Sequence, residues 1–154
     1  MPNLSFDRLT PADKAEFMDM SRAFYASEAV LAPIPDAYHE KAFEECLRSD
    51  AYLVGYMIRL DGRTAGYGLL NRTWSREAGG CVVWLEELSV LPEFRGQGIG
   101  RAFFAFVEKT HPAARYRLET EPENERARRL YGRLGYRPLP YLQMVKDSEA
   151  VPSD

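Results

Sequence analysis

A strand, a glycine-rich loop and a helix follow one another between residues 81 and 109, and this succession constrains the fold most strongly. The apolar run Cys81–Val90 (CVVWLEELSV) predicts a long strand, and residues 98–109 predict an amphipathic helix. The loop between them ends in Arg95–Arg101, with the sequence RGQGIGR. Because glycine has no Cβ atom, such a backbone can approach a ligand closely. With the unpaired N–H groups of the first helical turn, it predicts a cradle for a pyrophosphate.

Three other interpretations of this loop have to be compared with its residues. A dinucleotide-binding fold uses G-x-G-x-x-G after the first strand of a βαβ unit, whereas here the spacing is G-x-G-x-G and several predicted strands come first. A P-loop ends in Gly-Lys-Ser/Thr, which this loop lacks. A strand-to-helix turn that binds nothing is the third alternative.

The remaining patterns predict a mixed α/β (α+β) fold in the order β-α-α-β-β-β-α-β-α-β. Thr10 is expected to cap a first helix, with Pro11 in its first turn and Asp13 where a capping box places an acid. Asp36 is expected to cap a second helix, and Asp61-Gly62 predicts a tight hairpin turn. The other predictions are strands at 4–9, 52–60, 64–71, 116–120 and 136–145, a loop at 74–80 and a helix at 124–134.

Length and charge restrict the class of protein. The 154 residues fit one domain, which we place at 1–146, followed by a tail at 147–154. The formal net charge of −3 argues against a nucleic-acid-binding protein, since that class is usually basic. No apolar run approaches the ~20 residues that span a bilayer, and the N-terminus lacks a signal-peptide pattern. These features predict a cytoplasmic protein without a membrane partner.

Cysteine and histidine are too sparse to predict a metal site. Cys46 and Cys81 match no metal-binding or redox spacing, and we expect two reduced thiols. His39 and His111 are isolated from each other and from the cysteines. A zinc site needs three or four clustered ligands, so no metal is expected.

Two motifs in the second half of the chain resemble those of the GNAT acetyltransferases. The first is Arg95-x-x-Gly98-x-Gly100, preceded by the triplet Leu88-Ser89-Val90. The second has the sequence Asn124-Glu-Arg-Ala127-Arg-Arg-Leu-Tyr131-Gly-Arg-Leu-Gly135-Tyr136. The resemblance implies a six- to seven-stranded, mostly antiparallel sheet flanked by about four helices.

The resemblance also implies acetyl-CoA as cosubstrate. The strand before the loop would part from its parallel neighbour, and the pantetheine arm would lie against Leu88–Val90. The pyrophosphate would bind the N–H groups of residues 96–101. The implied coenzyme contacts are Leu88, Ser89, Val90, Arg95, Gly96, Gln97, Gly98, Ile99, Gly100, Arg101, Asn124, Ala127 and Tyr131.

For catalysis, the resemblance implies an acid pair and a tyrosine. Glu86 is favoured as the base that deprotonates the amine, and Glu87 is the second candidate. Strict alternation would point the two to opposite faces, unless a bulge changes the parity. Tyr131 is the candidate general acid at the coenzyme sulfur, although it also fits the apolar stripe of its helix. The Leu88 N–H is the implied oxyanion donor.

The implied function is transfer of an acetyl group to the primary amine of a polyamine-like or amino-acid-like molecule, by direct attack in a ternary complex. Acetylation of a protein or peptide amine and a non-catalytic acyl-CoA sensor are the alternatives. The oligomeric state is open, with a homodimer as one arrangement. Acids and aromatics are candidates for the acceptor site: Phe24, Tyr25, Glu28, Tyr38, Trp74, Trp84, Glu119, Glu121 and Tyr141.

Overall fold

A computed structural model describes residues 2–148, which form five strands and four α-helices. The strands are β1 Leu4–Arg8, β2 Leu53–Leu60, β3 Arg63–Ser75, β4 Gly80–Val90 and β5 Arg115–Arg117. The helices are α1 Lys14–Tyr25, α2 Asp36–Arg48, α3 Ile99–Thr110 and α4 Glu125–Arg133. Of the predicted tail 147–154, residues 149–154 lie outside the described part of the chain.

The five strands form one sheet in sequence order. β1 to β4 are antiparallel neighbours, and β5 runs parallel to β4. The predicted hairpin turn joins β2 and β3, with positive φ angles of 52° at Asp61 and 79° at Gly62. The mixed, mostly antiparallel α/β architecture is confirmed.

Each face of the sheet is covered by apolar side chains from two helices. On one face, Phe17 of α1 and Phe43 of α2 pack with Tyr67 of β3. On the other face, α3 contributes Phe103 to a second core, and Tyr131 of α4 packs at its margin. Full burial of such a side chain stabilises the fold by about 1.5–3 kcal/mol. The two cores hold α1 and α2 on the opposite side of the sheet from α3 and α4.

The strand count is lower than the predicted six to seven, because the segment 136–145 forms no strand within residues 2–148. Pro138 and Pro140 interrupt this segment, and proline has no N–H group to donate to a strand ladder. The predicted strand 116–120 is also reduced to three residues. This strand, β5, is short because β4 pairs with it only as far as Trp84.

Other boundaries differ from the predictions by small shifts. The Asp13 carboxylate accepts a bond from the Thr10 N–H at 2.9 Å, as expected of a capping box, but a 3-10 turn precedes α1. Asp36 is the first residue of α2 rather than its cap, and its carboxylate binds the Arg22 guanidinium at 2.7 Å. The predicted loop 74–80 is shorter, since β3 continues to Ser75 and β4 begins at Gly80.

Among the helices of residues 2–148, none is both long and apolar enough to cross a membrane.

Candidate active site

The sheet opens between its two parallel strands. Only Val82, Val83 and Trp84 of β4 pair with β5. Beyond Trp84, β4 continues to Val90 and is paired with β3 alone. One edge of β4 is therefore left without a strand partner at residues 85–90, within the part of the chain that is described.

Two residues of β4 direct backbone groups to this open edge. The Leu91 N–H donates to the Ala65 carbonyl on the β3 side at 2.7 Å. Because backbone groups alternate sides along a strand, Leu88 and Val90 direct theirs away from β3. The Val90 carbonyl accepts a bond from the Arg95 side chain at 2.9 Å. The predicted parting of the strands is thus present, and the Leu88 N–H faces the gap.

The glycine loop joins this open edge to α3. Gly96 and Gly98 have φ angles of 77° and 79°, in the left-handed region that favours glycine. A Cβ atom added at either position would meet no heavy atom within 4 Å. In the described residues, no side chain caps the start of α3 and no acid lies in its first turn. The loop therefore presents unshielded N–H groups and the positive end of the helix dipole to open space.

A β-bulge lies on β4 opposite the middle of β3. Leu70 pairs with Leu85 and Leu69 pairs with Glu87, so Glu86 has no partner on β3. The bulge cancels one step of alternation. Glu86 binds Asn71 and Glu87 binds Tyr67, and these partners are four residues apart on β3. Both carboxylates therefore lie on the face covered by α1 and α2.

The Glu86 carboxylate is exposed in a shallow pocket. It accepts a bond from the Asn71 side-chain amide at 2.6 Å. The pocket has a volume of about 390 Å³ and combines two carboxylates, one guanidinium and two large aromatic rings. Its lining residues are Tyr52, Leu53, Asn71, Arg72, Thr73, Trp84, Glu86 and Glu119.

The neighbouring Glu87 carboxylate is buried, with 9% of the residue exposed. It accepts one bond from the Tyr67 hydroxyl at 2.7 Å and another from the Tyr25 hydroxyl at 2.9 Å. Burial raises the pKa of Glu87, and the two phenols oppose this shift only in part. The nearby Glu86 also raises it. The result is a carboxylate that holds a proton more readily than an ordinary glutamate.

A separate hydrogen-bonded pair lies in the layer of α1 and α2. The Ser21 hydroxyl of α1 lies 2.6 Å from Nδ1 of His39 on α2. Ser21 and His39 are both buried, at 3% and 4% exposed. The pair holds the two helices together through a buried polar contact.

The second motif lies on α4, across the gap from β4. Asn124 caps this helix by accepting a bond from the Ala127 N–H at 3.2 Å. Tyr131 packs against Phe104 and Tyr136, and burial raises its pKa, so the phenol keeps its proton at neutral pH. Tyr131 lines an open cleft of about 1140 Å³ that shares Glu119 with the Glu86 pocket.

The predicted acceptor residues do not form one group. Trp84 and Glu119 line the Glu86 pocket, and Tyr25 binds Glu87. Tyr141, in contrast, binds Glu77, and Trp74 is exposed.

Sequence reasoning missed four polar residues: Asn71, Tyr67, Ser21 and His39. Asn71 and Tyr67 lie on β3, Ser21 on α1 and His39 on α2, so no spacing rule singles them out. These four residues come near one another only when the sheet and the two helices pack together.

Cys46 and Cys81 are both unpaired thiols, and burial raises the pKa of Cys46 to about 12. Over residues 2–148, no group of three or more potential metal ligands occurs.

Comparison with known proteins agrees with this geometry. The profile of the acetyltransferase (GNAT) family matches residues 16–136. A thialysine N-epsilon-acetyltransferase of Mus musculus is 32% identical over 136 residues, which cover 81% of this chain and 73% of the mouse protein. An aminoglycoside N(6')-acetyltransferase type 1 of Salmonella typhimurium is 30% identical over 109 residues, covering 66% of this chain and 74% of that protein.

A solved structure shares the fold at lower identity. The aminoglycoside N-acetyltransferase AAC(6')-Iy in complex with CoA superposes with a TM-score of 0.77, covers 96% of both chains and is 19% identical. The profile match includes β4, the glycine loop and α4, where the structure places the open strand edge and the uncapped helix. The chain therefore belongs to the GNAT family of acetyltransferases.

Proposed function

We propose that this protein transfers the acetyl group of acetyl-CoA to a primary amine of a small molecule, by direct attack in a ternary complex. The observation that carries the proposal is the open edge of β4 leading directly into the uncapped glycine loop. An acyl-CoA offers what both parts lack, namely amide groups for the strand edge and a pyrophosphate for the helix start.

The glycine loop would hold the pyrophosphate through the N–H groups of residues 96–101, namely Gly96, Gln97, Gly98, Ile99, Gly100 and Arg101. Arg95 and Arg101 are exposed beside this loop and add positive charge. The pantetheine arm would lie along Leu88, Ser89 and Val90 and bind the backbone groups that Leu88 and Val90 direct away from β3. Asn124 and Ala127 would contact it from the start of α4.

The acceptor must lose a proton, because an alkylammonium with a pKa of about 10 is not nucleophilic at neutral pH. We infer that Glu87 is the base, which reverses the order that the family resemblance favours. Its raised pKa brings it closer to the range useful for general-base catalysis. Glu86, exposed in its pocket, would attract and orient the cationic amine.

The tetrahedral intermediate would be stabilised from the strand edge and from α4. The Leu88 N–H faces the gap and supplies a fixed donor for the oxyanion. Tyr131, whose phenol stays protonated, would give a proton to the departing thiolate. The C–N bond forms when the amine adds to the thioester carbonyl, and the C–S bond breaks when the intermediate collapses to the acetamide and CoA thiol.

The pocket favours a small acceptor with more than one polar group. A cavity of about 390 Å³ holds a small molecule, and its two carboxylates and aromatic rings suit an ammonium group. The names of the two relatives, a thialysine and an aminoglycoside acetyltransferase, are both those of enzymes for small-molecule amines. An amino-acid-like or polyamine-like acceptor is therefore our first choice.

The arrangement of the protein in solution belongs to the same proposal. Large apolar side chains are exposed near the end of the described chain, including Leu142 at 88% and Met144 at 89%. Such side chains favour association, which supports a homodimer. We also keep the single domain at 1–146 and the cytoplasmic location as predictions.

The proposal is tested by release of CoA thiol from acetyl-CoA, screened over polyamines, amino acids, aminoglycosides and peptide N-termini. We expect thiol release with small amines, and CoA should raise the melting temperature. At 100 times its Kd, a ligand stabilises the folded state by about 2.7 kcal/mol.

Thermal stabilisation without turnover on any amine would point to an acyl-CoA sensor. Turnover with peptides only would point to a protein substrate. No stabilisation by CoA would contradict the proposal as a whole.

A further inference from the structure

An arginine lies at the boundary between the Glu86 pocket and the open cleft beside α4. Arg117 is the last residue of β5 and is the register partner of Trp84 on β4. Its guanidinium carbon lies over the Trp84 ring, 4.2 Å from the ring centre, and Trp84 lines the Glu86 pocket. Arg117 itself lines the cleft, which shares Glu119 with that pocket. The aromatic ring therefore holds this guanidinium where the two cavities meet.

The guanidinium of Arg117 is half-buried, yet its N–H groups have no acceptor. Within residues 2–148, the side chain makes no hydrogen bond and no ion pair. The other arginine at the pocket, Arg72, is engaged with Nδ1 of His111 at 3.1 Å. A guanidinium presents its donors as a planar fork, so an arginine fixed by an aromatic ring can bind a carboxylate through two parallel hydrogen bonds. Arg117 has these donors free.

The pyrophosphate of the coenzyme is too distant to be the partner of Arg117. Trp84 and Val90 are six residues apart on β4, which is about 20 Å along an extended strand. The glycine loop begins beyond Val90, at the far end of this distance. Trp84 and Glu86, in contrast, line one pocket. The free guanidinium therefore belongs to the acceptor side of the site.

We propose that Arg117 binds a carboxylate of the acceptor, so that the substrate is an amino acid with a side-chain amine rather than a polyamine. The inference rests on the proposed function and narrows its choice of acceptor. Trp84 and Leu88 are four residues apart on β4, about 13 Å along the strand. A carboxylate bound beside Trp84 leaves room for an aliphatic chain before the amine reaches the Leu88 N–H. An α-amine would instead stay beside its own carboxylate, away from the thioester.

The charges around the pocket suit such a zwitterion. Glu86 and Glu119 attract ammonium groups, and Glu119 lies at the same boundary as Arg117. Arg117 repels the second ammonium of a diamine and already covers one face of Trp84, where such a cation would otherwise bind. The residue therefore selects in two ways, by attraction of a carboxylate and by repulsion of a dication.

The first test uses the parent protein and acceptors that differ only in the carboxylate. Cadaverine is L-lysine without its carboxylate, and putrescine is L-ornithine without its carboxylate. We expect kcat/KM to be about 10- to 100-fold higher for the amino acid of the better pair, the range of a hydrogen bond between charged groups. Lysinamide should behave like cadaverine. Values within about threefold of each other in both pairs would overturn the inference.

Arg117→Gln tests the residue itself through the ratio of kcat/KM for L-lysine to kcat/KM for cadaverine, or the same ratio for the shorter pair. A purely structural arginine would change both values to the same extent and leave the ratio unchanged. The proposed contact predicts that the ratio falls toward one because the value for the amino acid drops. Arg115→Gln, two residues earlier on β5, is the matched control and should keep the ratio of the parent protein. An unchanged ratio in Arg117→Gln would refute the assignment.

A second test measures binding without turnover. The chain has two tryptophans, so Trp74→Phe leaves Trp84 as the single fluorophore of this type. Trp74 is exposed, and its replacement should preserve the fold. In this variant we expect L-lysine or L-ornithine to change the Trp84 emission in a saturable way, and the matching diamine to bind about tenfold more weakly or less. Adding Arg117→Gln should remove this difference, and no saturable change with either amino acid would contradict the inference.

The two tests separate the inference from the proposed function. Saturable, Arg117-dependent binding of the amino acid without release of CoA thiol would contradict the acetyltransferase proposal and leave the carboxylate site intact. Release of CoA thiol with amines regardless of the carboxylate would contradict the carboxylate site alone.

Discussion

Glu86 and Glu87 are adjacent on β4 and share one face of the sheet, yet they occupy opposite environments. Glu86 is exposed and bound to an amide, whereas Glu87 is buried beneath two phenols. The bulge places both carboxylates on the same face, and the packing of α1 buries Glu87 while Glu86 stays exposed. Identical side chains thus have different surroundings, and these suit the exposed acid to attract a cation and the buried acid to take a proton.

The substitution Glu87→Gln is the strongest test of the difference between the two acids. Loss of a general base should lower kcat by about 10² to 10⁴-fold, while the melting shift induced by CoA is retained. Steady-state kinetics and thermal unfolding with CoA measure both quantities. Equal loss of CoA binding would show that Glu87 supports the fold of the coenzyme site instead.

Glu86→Gln should act on binding of the amine rather than on chemistry. An exposed ion pair contributes up to about 1 kcal/mol, so we expect KM for the amine to rise about fivefold with kcat nearly unchanged. The measurement is kcat and KM for the same amine with both variants. A loss in kcat as large as that of Glu87→Gln would return the base to Glu86, as the family resemblance favours.

Tyr25→Phe should sharpen the role of the phenols at Glu87. Their hydrogen bonds lower the pKa of Glu87 against the larger effect of burial, so removing one should raise that pKa further. The acidic limb of kcat/KM against pH should therefore move to higher pH. Tyr38→Phe, on α2, is the control, and an unmoved limb in Tyr25→Phe would argue against Glu87 as the titrating group.

The smallest effect is expected in stability. Below the ordinary glutamate pKa of about 4.3, Glu87 is protonated in both the folded and the unfolded chain. As pH rises toward the higher folded pKa, the unfolded chain releases its proton first, which favours unfolding. The melting temperature of Glu87→Gln should therefore increase relative to that of the parent protein as the pH rises from 4. The melting temperature of Glu86→Gln should show no such relative increase.

Some features of the molecule are readable from the sequence because they depend on local backbone geometry. The turn Asp61-Gly62, the loop with Gly96 and Gly98, and the Asn124 cap are each specified by a few consecutive residues. The structure places the turn and the loop where the sequence predicts, and it places the predicted helix 124–134 at Glu125–Arg133. Their role in binding a coenzyme remains a prediction.

The acid pair was predictable in identity but not in orientation. Alternation alone turns Glu86 and Glu87 to opposite faces, and only the register of β3 against β4 reveals the bulge. Tyr25 and Tyr67 meet at Glu87 only through the tertiary packing of α1 against the sheet. The prediction of a strand after Tyr136 is wrong because it gives the apolar residues of this segment more weight than Pro138 and Pro140.

The bulge also limits how this strand can change over generations. Point substitutions can exchange one acid for another at either position and keep both on the same face. Deletion of either residue between Leu85 and Leu88 would remove the bulge and one of the two carboxylates together, so that this face would keep a single acid. The number of residues between Leu85 and Leu88 should therefore vary less among related proteins than the side chains at these positions.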